Sequence, residues 1–170
     1  KRIAEAKGRK VDAGRICYID DHGALASRHF INIASLGLSG EPRPLIAPLA
    51  LNRNGSAVTA SRPLADALRR LDPGGVEART ARPLARHLAA RRELGSAPLT
   101  FAVVFPYSMH AYALRYWLAE AGIDPDRDVR LVTSPPSRMA EQLRAGLIDG
   151  FCAGAPWNAL AVLDGVGEIL

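Results

Sequence analysis

No stretch of this chain approaches the roughly 20 consecutive apolar residues that a membrane-spanning helix requires, and no apolar leader segment precedes the first elements. Cysteine is scarce: Cys17 and Cys152 are the only two. They have neither CxxC spacing nor a matched set of histidines, which excludes the usual zinc and dithiol patterns and leaves both as expected packing residues. Aromatic residues make up 6% of the chain. No basic tract is interleaved with them, so the stacking platform of a single-strand nucleic-acid groove is missing and no nucleic-acid partner is expected. There is no GxSxG elbow and no phosphate-cradling P-loop. Asp124, Asp126 and Asp128 alternate as metal ligands often do, but the glycine and closing glutamate of a calcium loop are lacking, which points to a solvated loop. Neither a catalytic residue nor a metal or cofactor is expected.

What is present is a globular composition. Of 170 residues, 48% are hydrophobic, enough to fill a core, and the formal charge is +5. The excess is mostly arginine spread along helical stretches, which suits a small anion as partner. Arg15 to Ile19 and Ala26 to Ile33 read as the arms of a β-hairpin around Asp20 to Gly23. From Leu45 onward strand-like and helix-like segments alternate, the pattern of an α/β layer with a mainly parallel sheet. Strands are expected over Leu45 to Leu51, Ala57 to Ala60, Thr100 to Phe105, Val129 to Thr133 and Ile148 to Ala153, with one more starting near Leu170. Ser61 caps a helix whose Leu64, Ala67, Leu68 and Leu71 share a face, and Asp72 to Gly75 stops it. A second helix is expected from Pro83 to Leu94. In a third, Leu114, Trp117, Leu118 and Ala121 form the stripe, Ser108 stands at the start and Gly122 at the end. A fourth begins after Ser134, with Met139, Leu143 and Leu147 inward, and Pro156 starts the last.

The stretch from Phe101 to His110 runs from a buried strand through a proline turn to a helix N-terminus. Free N–H groups and the positive helix end suit an anion there, and Ser108 and His110 add donors without supplying a nucleophile–base pair. On spacing alone, Ser108 reads equally well as an N-cap and His110 as an ordinary helix-start residue. A second strand-to-helix junction, Phe151 to Asn158, places Gly154 where a ligand can approach backbone, and Trp157 reads either as a wall against water or as core. Asn54-Gly55 is first of all a tight turn, after which the Ser56 hydroxyl is available to an oxyanion.

Pro48 to Gly55, Phe105 to His110, Leu114 to Trp117, Ala121 to Pro125, Ile148 to Cys152 and Pro156 to Asn158 together resemble the nitrate- and bicarbonate-binding proteins of bacterial ABC importers and the related nitrate sensor. That resemblance covers about residues 36–170. It implies a partial periplasmic-binding-protein-like fold of type II that closes on nitrate, nitrite or bicarbonate, with ABC membrane subunits or a regulatory protein as partners. An importer component would be periplasmic and a sensor cytoplasmic. His110 matches the family's ligand-contacting histidine. Tyr107, Ser108 and Met109 lie in the same stretch, and Ser56, Gly154 and Ala155 complete the implied site, with Ala155 standing where the sensor-like sequences often have glutamate.

The resemblance also implies truncation at both ends, and a lysine that would neutralise the anion belongs to the later, missing part. Val11 to Arg15 and Arg28 to Gly37 resemble a fragment of diacylglycerol- and sphingosine-kinase-like lipid kinases instead. The expected organisation is therefore a β-rich segment over 1–40 and an incomplete solute-binding α/β domain over 41–170. The alternatives for function are a lipid-kinase fragment or a non-binding chimaeric remnant.

Overall fold

Ser61 ends a strand and starts a helix at one point. Its extended backbone closes the strand while its hydroxyl accepts from the N–H of Leu64 at 3.4 Å, and Pro63 needs no hydrogen bond in the first turn. The computed structural model describes residues 37, 40–42, 55–77 and 79–170. The expected hairpin, the strand over Leu45 to Leu51, the Asn52 to Asn54 part of the turn and Cys17 lie outside the described residues.

The chain divides into two compact units, Asn54–Pro106 with His110–Leu170, and Lys1–Arg53 with Tyr107–Met109. In the second of these, the Gly40 N–H donates to the Gly37 carbonyl at 3.3 Å, and Gly37 has a φ of 68°. A side chain at Gly37 would start 2.8 Å from the Pro42 ring, so glycine is needed there on both counts.

The described elements, in chain order, are β1 (Ser56–Ser61), α1 (Arg62–Leu71), α2 (Arg82–Glu93), β2 (Thr100–Val103), α3 (Met109–Glu120), β3 (Arg130–Thr133), α4 (Pro136–Arg144), β4 (Gly150–Gly154), α5 (Trp157–Leu163) and β5 (Gly167–Ile169). The strands form one sheet in the order β3-β2-β4-β1-β5. β2 runs parallel to β3 and β4, whereas β1 is antiparallel to both β4 and β5. The α/β class is thus as expected, with the refinement that the first strand enters against the direction of its neighbours.

Both faces of the sheet are covered, which explains why β2 and β4 read as unbroken apolar runs. Phe101, Val103 and Cys152 face one way and pack with Leu64 and Leu68 of α1, Leu84 and Leu88 of α2, and Leu114 and Leu118 of α3. Ala102, Phe151 and Ala153 face the other way and pack with Met139 and Leu143 of α4 and Ala161 of α5. The period-2 alternation of strand side chains divides the two cores.

Two side chains depart from the expected faces. Leu71 is 40% exposed because Ala65 takes the inward place in α1. Leu147 is 68% exposed because α4 ends at Arg144 and Gly146, at a φ of 68°, redirects the chain, leaving Ile148 to fill the core. Trp157 packs half-buried against the α4–α5 core, which favours its structural reading.

At the amino edge of β2 and β4, Asp149 ties three segments together. Its N–H donates to the Thr100 carbonyl at 2.8 Å, its carboxylate accepts from the Thr100 N–H at 2.7 Å, and its carbonyl accepts from the Ser61 N–H at 2.8 Å.

Candidate functional site

Adjacent parallel strands β2 and β4 send their chains to opposite faces of the sheet. β2 leads into α3 on the face of Leu114, and β4 leads into α5 on the face of Ala161. In open α/β sheets, ligands gather at this kind of point, beyond the carboxyl ends of the strands.

Three of the expected site residues meet there. Gly154 ends β4 and pairs across the sheet with Ser56, the first residue of β1. Both lie two residues from members of the Cys152–Val58 pair, and so on the same face as α3. On that face His110, in the first turn of α3, brings its Nε2 to 3.6 Å from the point where a side chain on Gly154 would begin. The absence of a Cβ at position 154 therefore leaves room between the imidazole and the strand backbone. Ser56 is exposed and His110 half-buried.

Ala155 sits in the exposed turn after Gly154, joined to Pro156 by a cis peptide. Tyr107, Ser108 and Met109 belong to the other unit. Ser108 is buried at 4% exposure, one residue before the start of α3, while Tyr107 and Met109 are each more than a third exposed.

Cys152, two residues before Gly154, is buried, and burial pushes its thiol up to about 12. It stays a neutral packing group at ordinary pH and offers no thiolate nucleophile. The aspartates of the 124–128 loop serve one another and nearby arginines: Asp124 accepts from the Asp126 N–H at 2.9 Å, Asp128 from the Asp124 N–H at 2.9 Å, and Asp126 receives both Arg115 guanidinium nitrogens at 2.7 and 2.9 Å. That guanidinium holds the Asp126 carboxyl below its ordinary range. A cavity of about 350 Å³ opens elsewhere, between the end of α1, the loop after it and β5, and includes no residue of the His110–Gly154 cluster.

Sequence reasoning did not single out Asn158. This side chain is 4% exposed, and its Nδ2 donates to the Ala57 carbonyl and to the Thr59 hydroxyl, each at 2.9 Å. Its Oδ1 is buried with no hydrogen-bond partner among the described residues. An unmet buried acceptor of this kind costs about 1–3 kcal/mol. The signal available in the sequence was a polar amide in the otherwise apolar first turn of the helix after Pro156.

A family model described as the NMT1-like family matches residues 15–170. It takes in most of the stretch that resembles lipid kinases, and that resemblance finds no support there. The nitrate import ATP-binding protein NrtC of Synechocystis sp. is 40% identical over 137 residues, covering 80% of this chain and 19% of that protein. The nitrate/nitrite binding protein NrtA of Synechococcus elongatus is 30% identical over 155 residues, covering 86% of this chain and 33% of the relative. Among solved structures, the periplasmic nitrate-binding protein NrtA from Synechocystis superposes with a TM-score of 0.61 at 26% identity, over 82% of this chain and 33% of that one. The chain thus spans about a fifth to a third of the length of these relatives.

Proposed function

This chain belongs to the NMT1-like family, and from that premise we propose that it is a solute-binding segment for nitrate or a closely related small oxyanion, nitrite or bicarbonate, within an ABC uptake system or a nitrate-responsive regulator. The observation that carries the reading is the placement of His110 Nε2 beside the bare backbone of Gly154, opposite Ser56, where the chain reverses its winding direction. An imidazole N–H, a serine hydroxyl and the positive end of α3 supply donors and favourable potential to an anion, and the site does no covalent chemistry. His110 is the central ligand contact in this reading, with Ser56 and the Gly154–Ala155 backbone beside it.

The names of the relatives favour this ligand class, since they bind nitrate and nitrite or belong to nitrate import. As an importer component the protein acts in the periplasm alongside the membrane subunits; as a regulator it acts in the cytoplasm on a protein partner. Calorimetric titration of the folded protein with nitrate, bicarbonate and sulfate tests the proposal. Saturable heat with nitrate or bicarbonate is expected, and a folded sample silent with all three overturns it.

A further inference from the structure

We infer that Asn158 is a positioning residue for the anion site, fixing the Gly154 turn against the start of β1 from the face of the sheet opposite the site; this rests on the anion-binding reading above. The geometry follows from strand alternation. Ser56, Val58, Cys152 and Gly154 share the α3 face, whereas Ala57 and Thr59 pair with Ala153 and Phe151, whose side chains join the α4–α5 core. Asn158 lies in the first turn of α5 and spends both amide hydrogens on β1, one on the carbonyl of Ala57 and one on the hydroxyl of Thr59.

The two anchor points bracket the element that matters. Ala57 is the neighbour of Ser56, and Asn158 follows Gly154 by a single turn, so one amide fixes both cross-strand partners of the site from behind. Thr59 is fully buried, and its hydroxyl accepts from the Asn158 amide there. Asn158 does this with its Oδ1 buried and without a hydrogen-bond partner among the described residues.

The test uses the whole 170-residue chain and the variants Asn158→Ala, Thr59→Val and Thr59→Ser, with amide hydrogen exchange followed beside nitrate titration. In Asn158→Ala, exchange at 56–58 and 154–157 is expected to rise about tenfold or more while α2 stays protected, and nitrate affinity to fall about tenfold in the folded fraction. Thr59→Val keeps the bond to Ala57 and is expected to show a smaller change in the same direction, which Thr59→Ser reverses. Should Asn158→Ala fail to fold, the Thr59 pair decides the matter by the same two measurements.

Exchange that rises uniformly across the chain, or a variant that binds nitrate like the parent, overturns the positioning role and leaves the functional reading standing. A parent chain that binds none of nitrate, bicarbonate and sulfate overturns the functional reading and the positioning role with it. The exchange pattern then still reports whether the anchor itself exists.

Discussion

His110 Nε2 faces Gly154 across 3.6 Å measured to an imagined side chain, an ordinary contact distance and no closer. The fold therefore accepts alanine at position 154, while the anion of the proposed site competes for the same space. Gly154→Ala is expected to keep or slightly raise the melting temperature, because alanine is favoured over glycine in a strand by about 0.5–1 kcal/mol, and to weaken nitrate binding about tenfold. Parallel thermal melts and titrations check it; unchanged affinity would mean that the ligand does not approach this backbone.

In the proposed site the His110 imidazole is a donor to a charged ligand. His110→Ala is expected to weaken anion binding by about 1–3 kcal/mol without a matching loss of stability. A titration curve superimposable on the parent's would take His110 out of the site.

Gly150 is a packing position and behaves oppositely. A Cβ there would lie 2.7 Å from the Phe101 ring and 2.9 Å from the Thr59 carbonyl oxygen, and the backbone atom cannot swing aside. Gly150→Ala is expected to destabilise the protein by about 1–3 kcal/mol, the usual cost of overfilling a close-packed core, read from a urea midpoint at unchanged slope.

The buried Cys152 thiol gives a pH dependence with a definite sign. Its folded value is about 12, above that of an exposed thiol near 8.5, so the unfolded chain loses this proton first as pH rises. The contribution to stability is complete below pH ~8.5 and declines as pH climbs toward 12, by at most about 5 kcal/mol. Urea unfolding between pH 8 and 11 in a Cys17→Ser background, with Cys152→Ala for comparison, isolates it. Equal pH slopes in the two proteins would contradict it.

Much of the larger unit was legible because its elements carry local signals. Ser61 with the Leu64–Leu68 repeat marked α1, the Leu114–Leu118 stripe marked α3, and the apolar runs of β2 and β4 marked buried strands. Strand direction was less accessible. The alternation of Ser56 to Ser61 states which side chains go inward but carries nothing about which neighbours the strand joins, so its antiparallel entry between β4 and β5 emerged only from the folded sheet.

The site divides the same way. His110 and Gly154 were readable from strand-to-helix junctions, where backbone amides and a missing Cβ have local signatures. Their meeting on one face depends on α3 and α5 leaving the sheet in opposite directions, which is a property of the crossovers. Asn158 escaped notice because its partners, Ala57 and Thr59, lie about a hundred positions earlier.

The central place of β1 has a consequence for synthesis. This strand is flanked on both sides by segments from the last part of the chain, β4 and β5. During synthesis Ser56 to Ser61 therefore precedes both of its described partner strands, and roughly ninety further residues are translated before the first of them is available. Pairing of β1 is in this sense a late step, and the nascent protein is most in need of shelter from foreign strands before β4 and β5 have been made.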